Sequence, residues 1–276
     1  MRLIFLGTPD FAVPPLLALS RAGHEIAAVV ARPDQPSGRG KKLHPTPVKQ
    51  AALNLGLPVY EPADINSPEA LALLRDLRPD ILVVVAYGQF LGEALLALAP
   101  YGAVNIHASL LPAYRGAAPI HWAVLNGEKE SGVTIMRIDS GMDSGDILLQ
   151  AVTPIGPEMN TGQLHDVLAQ LGAELLPTAL RQIETGAARP TPQDHQKATR
   201  APLLQRSHEA LDWAKSDSRV HDQIRGLAPW PGAYTLFRGK RLKVLAASLE
   251  AATPWLAKDP APGQVLRADG RGLLVA

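Results

Sequence analysis

The residues best suited to chemistry lie between Asn105 and Gly116, in the run Asn-Ile-His-Ala-Ser-Leu-Leu-Pro-Ala-Tyr-Arg-Gly. A short apolar run, Gly102-Ala103-Val104, precedes them and reads as the end of a buried strand. Side chains alternate along a strand, so Asn105 and His107 share one side. An amide and an imidazole are costly as core but suit a crevice at the carboxyl end of an open α/β sheet, where such folds place ligands. The Ser109–Pro112 turn then breaks the strand and presents backbone groups there. An amide nitrogen can donate to an oxygen that turns negative as a carbonyl is attacked. An imidazole can carry protons near neutral pH, and a carboxylate beside it can hold its orientation and stabilise the imidazolium.

The glycine-broken loop Asp139-Ser140-Gly141-Met142-Asp143-Ser144-Gly145-Asp146 offers three candidates for that carboxylate, and spacing does not choose among them. No side chain reads as an activated nucleophile: Ser109 lacks the strained G-x-S-x-G elbow, and there are no cysteines. The three acids lack calcium-loop spacing, so no metal is expected. The set suits attack by a substrate's own amine on an acyl carbon.

The surrounding pattern is α/β. Leu3–Gly7 and Glu25–Ala31 read as strands joined by a helix, a βαβ unit with parallel pairing, in which Asp10 is expected to cap the helix. Ile81–Ala86 is unbroken apolar and reads as a central buried strand. Val133–Ile138 alternates as a half-buried strand, and Thr161–Thr185 is an amphipathic helix expected to bend or end near Pro177. Between Arg32 and Lys49 a Pro/Gly-rich loop carries five basic residues against Asp34, a local +4 suited to phosphate contact.

At 276 residues with 46% hydrophobic and 19% charged residues, two folded domains are expected. The net charge of +1 excludes a global field for nucleic acid, so any basic surface is local. With no cysteines, no signal-peptide pattern and no transmembrane run, a cytoplasmic protein is expected. Residues 1–188 read as the catalytic domain, 189–206 as a Pro-rich linker, and 207–276 as a second domain of short strands suggesting a small barrel. There, Arg238, Lys240, Arg241 and Lys243 cluster on one hairpin, and ten Lys/Arg face seven Asp/Glu.

These residues resemble the methionyl-tRNA formyltransferases, a family of folate-dependent formyltransferases. The resemblance runs in order through Gly-Thr-Pro-Asp-Phe-Ala at 7–12, Gln-Pro-Ser-Gly-Arg-Gly-Lys-Lys at 35–42, Val-Val-Ala-Tyr-Gly at 84–88 and the Asn105–Gly116 run. It continues through Gly-Val-Thr-Ile-Met at 132–136, Gly-Met-Asp-Ser-Gly-Asp, and Pro-Trp-Pro-Gly-Ala-Tyr at 229–234. It implies a Rossmann-like, mostly parallel sheet with helices on both faces, followed by an OB-like barrel. It implies formyl transfer from 10-formyltetrahydrofolate to methionine on initiator tRNA. By it, Asn105, His107 and Asp143 are catalytic. Ser109, Leu110, Leu111 and Pro112 line the folate site, with Tyr87, Phe90 and Leu91 near the pterin. Arg39, Lys41, Lys42, Arg238, Lys240, Arg241 and Lys243 contact tRNA. Independently of the resemblance, a monomer without a membrane partner is expected.

Two departures from the family stand out. The sequence stops before the family's last strands, so the barrel is expected to be truncated, with an open edge. The approach to the second domain is changed at Leu203-Leu204-Gln205-Arg206. The competing readings are another folate-dependent formyltransferase, acting on glycinamide ribonucleotide or an amino sugar, and an RNA-binding protein with a vestigial site.

Overall fold

A computed structural model describes residues 1–37, 42–250, 260–270 and 272–276, and for residues 35–37 and 42 it describes the backbone. Two compact units result: Met1–Gly116 with Gly132–Thr153 and His165–Arg200, and Ala117–Ser131 with Pro154–Leu164 and Ala201–Ala276.

The chain opens with β1 (Arg2–Gly7), α1 (Val13–Arg21) and β2 (Glu25–Val30). A short hairpin, β3 (Gln35–Ser37) and β4 (Lys42–His44), follows. Then come α2 (Pro47–Asn54), β5 (Val59–Tyr60), α3 (Pro68–Asp76), β6 (Ile81–Val85), α4 (Glu93–Leu96) and β7 (Ala103–His107). The chain continues through α5 (Pro119–Leu125), β8 (Glu130–Arg137), β9 (Ile147–Pro154) and α6 (Thr161–Glu184).

Seven strands form one sheet in the order β5-β2-β1-β6-β7-β8-β9. The pairs from β5 to β7 are all parallel, and β8 runs antiparallel to β7. The unbroken apolar strands sit where both faces are covered: β6 is central and buried throughout. From β1 the chain builds outward to β2 and β5, then returns to β6 on the other side. Such a switch point opens a crevice at the strands' carboxyl ends. Helix starts follow their caps: Thr46 Oγ1 accepts from Lys49 N at 3.3 Å and Ser67 Oγ from Ala70 N at 3.2 Å.

Four expectations change. Asp10 starts a single 3-10 turn, its Oδ1 accepting from Phe11 N, and α1 begins only at Val13, so Asp10 does not cap it. β8 is buried from Ser131 to Met136 rather than on one face; its polar Thr134 is tolerated because three hydrogen bonds satisfy its hydroxyl. α6 runs through Pro177, whose missing N–H costs about 3 kcal/mol in a helix interior; buried Leu176, Ala179, Leu180 and Ile183 offset it. Finally, the Pro-rich stretch after α6 is pinned to the sheet, Thr191 and Ile147 exchanging both backbone hydrogen bonds at 2.9 Å.

The second unit has its own small core of Val220, Ile224, Leu227 and Ala233, packed by Leu125, Leu204, Leu211, Trp213 and Val244. Its α7 (Asp217–Gly226) precedes β10 (Ala233–Phe237), β11 (Lys240–Val244), β12 (Val265–Asp269) and β13 (Gly272–Val275). Among the described residues these strands pair as two antiparallel hairpins, β10-β11 and β12-β13. No helix of the described residues is long and apolar enough to cross a membrane.

Candidate active site

β7 carries the centre. Ile106, between Asn105 and His107, is buried close to Gly172 of α6, so period-two alternation turns the two polar residues to the opposite face. Asn105 lies beside Val84 of β6 and opposite Met136 of β8. It is half-buried, and its amide makes no hydrogen bond to another described side chain or backbone group, leaving its N–H₂ for a ligand oxygen. His107 is only 6% exposed.

The imidazole is held at Nε2, and a carboxylate faces its Nδ1. Its Nε2 lies 2.9 Å from the carbonyl of Tyr114. A carbonyl only accepts, so Nε2 carries the proton. Its Nδ1 faces Asp143 Oδ1 at 3.6 Å. The other oxygen of Asp143, Oδ2, accepts from Gly116 N at 2.8 Å. One turn thus grips both groups, the imidazole through Tyr114 and the carboxylate through Gly116. Tyr114 and Asp143 both have left-handed backbones, with φ of 60° and 50°. Such conformations cost about 1–3 kcal/mol each and persist where the surroundings over-determine them.

The other two loop acids do different work. Asp139 Oδ1 closes its own loop, accepting from Gly141 N at 2.9 Å and Ser144 Oγ at 2.8 Å. Asp146 contributes its backbone, whose carbonyl accepts from Arg137 N at 2.9 Å. Gly145 lets the loop press on β8: a Cβ there would sit 2.0 Å from the carbonyl oxygen of Arg137.

The Ser109–Pro112 turn is equally fixed. Ser109 Oγ donates to Ala113 O at 2.6 Å, so the hydroxyl is committed to the turn. Thr134 Oγ1 donates to Ser109 O at 2.7 Å and accepts from Leu111 N at 3.1 Å. Gln150 Nε2 donates to Leu111 O at 2.9 Å and to Thr134 Oγ1 at 2.8 Å. Leu110 packs against Gly132, where a Cβ would meet it at 2.4 Å.

Beyond β6, Tyr87 and Leu91 are buried in a core cluster with Ile4, Leu82 and Leu95, while Phe90 is 70% exposed. Burial pushes the Tyr87 phenol up to about 12, and its hydroxyl has no partner among the described residues. Thr8 Oγ1 donates to Tyr87 O and Arg32 Nη1 to Gly88 O, tying three strand ends together at the crevice.

Of the basic residues, Arg39 and Lys41 lie outside the described residues, and Lys42 is described only as the start of β4. Lys49 does not add to the loop's free charge. Its Nζ lies 2.8 Å from both Asp34 Oδ2 and Glu61 Oε2, contacts that hold Asp34 below and Lys49 above their ordinary values. Arg238, Lys240, Arg241 and Lys243 are all exposed on the β10–β11 hairpin. There Arg241 stacks over Tyr234 at 4.3 Å and Arg238 over Phe237 at 5.3 Å.

Three supporting residues escaped the sequence reading: Thr134, Gln150 and Gln193. Gln193 is 6% exposed and bonds both to Arg115 and to the acidic loop. For Thr134 the available signal was a hydroxyl inside an apolar strand; the two glutamines carried none.

A formyl transferase family model matches residues 1–180, and one for the formyl transferase C-terminal domain matches residues 203–276. The methionyl-tRNA formyltransferase of Heliobacterium modesticaldum is 50% identical over 281 aligned residues, covering 100% of this chain and 88% of the relative. That of Moorella thermoacetica is 55% identical over 249 residues, covering 90% and 80%. Among solved structures, the Helicobacter canadensis N-formyltransferase, in complex with folinic acid and dTDP-3-aminofucose, superposes with a TM-score of 0.67 at 20% identity, covering 87% of this chain and 86% of that one. HypX from Aquifex aeolicus, in complex with tetrahydrofolic acid, gives 0.68 at 18% identity, covering 100% and 42%. At such identities these two likenesses speak for the fold, whereas the relatives at half identity across the chain, together with both family models, speak for descent: the chain belongs to the formyl transferase family, among the methionyl-tRNA formyltransferases.

Proposed function

We propose that this formyltransferase moves the formyl group of 10-formyltetrahydrofolate onto the amino group of methionine on initiator tRNA, with Asn105, His107 and Asp143 as its catalytic residues. The observation that carries the assignment is the approach of Asp143 to His107 Nδ1 at 3.6 Å on the face of β7 that also bears the uncommitted amide of Asn105.

Because Nε2 is engaged with Tyr114 O, Nδ1 is the nitrogen left for the reaction. The methionine nitrogen attacks the formyl carbon, and a tetrahedral adduct with O⁻ and a positively charged nitrogen forms. Asn105 donates to the oxygen. Nδ1 takes the surplus proton from the attacking nitrogen and delivers it to the folate nitrogen as the carbon–nitrogen bond to it breaks. While the proton sits on the imidazole, the Asp143 carboxylate stabilises the imidazolium. No covalent enzyme intermediate is needed.

Ser109, Leu110, Leu111 and Pro112 line the folate site as a turn of fixed shape, and the outward face of Phe90 borders the pterin with Tyr87 and Leu91 behind it. Arg39, Lys41 and Lys42 meet tRNA phosphates, and so do the four basic residues of the β10–β11 hairpin. The substrate sets the place of action in the cytoplasm, and one chain suffices for the reaction. The test is formylation of charged initiator tRNA, beside charged elongator tRNA, with 10-formyltetrahydrofolate as donor. Transfer to the initiator is expected; transfer to a glycinamide ribonucleotide or an amino sugar instead would overturn the reading.

A further inference from the structure

The segment after α6 looks like a tether in sequence, yet Gln193 is buried beneath the acidic loop. Its amide nitrogen donates to Asp143 O at 2.9 Å and to Gly145 O at 2.7 Å. Its amide oxygen accepts from Arg115 Nε at 3.1 Å and Nη2 at 2.6 Å. Carbonyls only accept and a guanidinium only donates, so the orientation of the amide is unambiguous and all four of its hydrogen-bonding places are filled.

Arg115 sits between the two residues that grip the reaction centre. Tyr114, on one side, holds His107 Nε2; Gly116, on the other, holds Asp143 Oδ2. The strap is sewn to the same turn elsewhere: Thr199 Oγ1 accepts from Tyr114 N at 2.8 Å, and Thr199 O accepts from Arg115 N at 2.9 Å. Asp143 has a left-handed backbone at φ 50°, and Gln193 grips the carbonyl of that residue.

We propose that Gln193 is the positioning residue of the catalytic carboxylate: it clamps the acidic loop to the Tyr114–Gly116 turn, so that Asp143 stays facing His107 Nδ1. The inference rests on the assignment of Asp143 as catalytic. Gln193 makes no contact with the imidazole; its hold on the reaction centre runs through the backbone of the acidic loop and through Arg115.

Gln193→Glu keeps the size and the acceptor for Arg115 but removes both donors and sets an oxygen against two carbonyls. In the full chain it is expected to lower kcat by about 10- to 100-fold, the cost of a carboxylate displaced by about an ångström. KM for methionyl-tRNA and for the folate should stay within about twofold. In an Asp143→Asn background the same change should alter the single-turnover rate by less than about twofold, because the group it positions is already gone. Hydrogen exchange at the Gly116 amide, which Asp143 Oδ2 holds, should accelerate more than about tenfold in Gln193→Glu.

An equal rate loss in both backgrounds, or unchanged exchange at Gly116, would overturn the proposal in favour of general support of the fold. An unimpaired Asp143→Asn enzyme would remove the catalytic assignment itself; a slow Asp143→Asn enzyme beside a normal Gln193→Glu enzyme would remove only the clamp. Should Gln193→Glu fail to fold, Arg115→Lys, which loses the two-pronged contact to Gln193 and keeps the charge, faces the same criteria.

Discussion

Around His107 most polar groups are fixed in place, the Asn105 amide excepted. The imidazole has Tyr114 and Asp143, the carboxylate has Gly116, and the turn that follows β7 is stitched by Ser109, Thr134 and Gln150. The β10–β11 hairpin is built in the opposite way. Its Arg238, Lys240, Arg241 and Lys243 stand exposed, and two of them lie on aromatic rings rather than in hydrogen-bonded sockets. Transfer of a one-carbon group tolerates little misplacement, so its groups are locked in advance. Attraction to a phosphate chain depends on charge density and tolerates side chains that adjust. One region should therefore fail steeply and locally when altered, the other gradually and in proportion to charge.

Four changes test that contrast. His107→Ala should lower kcat by about 10²- to 10⁴-fold with tRNA affinity unchanged; an unaltered rate would leave the locked region without a purpose. Gly145→Ala should come next. Its methyl would press on the Arg137 carbonyl, costing about 1–3 kcal/mol of overpacking, read as a lower Tm together with a kcat that falls more than KM rises. A change in Tm with normal kcat would show that the acidic loop needs less rigidity than its hydrogen bonds suggest. Arg241→Ala should weaken tRNA binding only several-fold and reduce the slope of log K against log salt by about one, with kcat at saturating tRNA intact. A collapse of kcat would erase the distinction between the two regions. Smallest, Tyr87→Phe removes a buried hydroxyl without a partner among the described residues; stability should be unchanged or rise by about 1 kcal/mol, measured by denaturant midpoint. A clear loss would mean that the hydroxyl is satisfied after all.

The readable part of the site was the part that had a period. β7 alternates, so spacing alone puts Asn105 and His107 on one face, and the apolar run of β6 marks the middle of the sheet. The acidic loop has no period, and its three aspartates are told apart only in three dimensions, where Asp139 closes its own loop and Asp143 reaches the imidazole. Only the family resemblance singled out Asp143 from sequence. Gln193 was invisible because a proline-flanked polar stretch reads as solvent-exposed, and only tertiary contact with Asp143, Gly145 and Arg115 makes it core. Lys49 misled for the same reason: its charge counts toward the basic loop in composition but is cancelled in space by Asp34 and Glu61.

Gly172 lies across the sheet from all of this. A methyl at that position of α6 would come within 2.9 Å of Ile106 Cγ2 and 3.6 Å of Val133 Cγ1. Ile106 is β-branched and cannot swing aside cheaply, so its strand would have to yield. The spacing of one helix above β7 thus governs the reach of an imidazole on the reverse side. A lesion that meets neither folate nor tRNA could slow the enzyme as surely as one in the crevice, and a search for such defects belongs behind the sheet as well as in front of it.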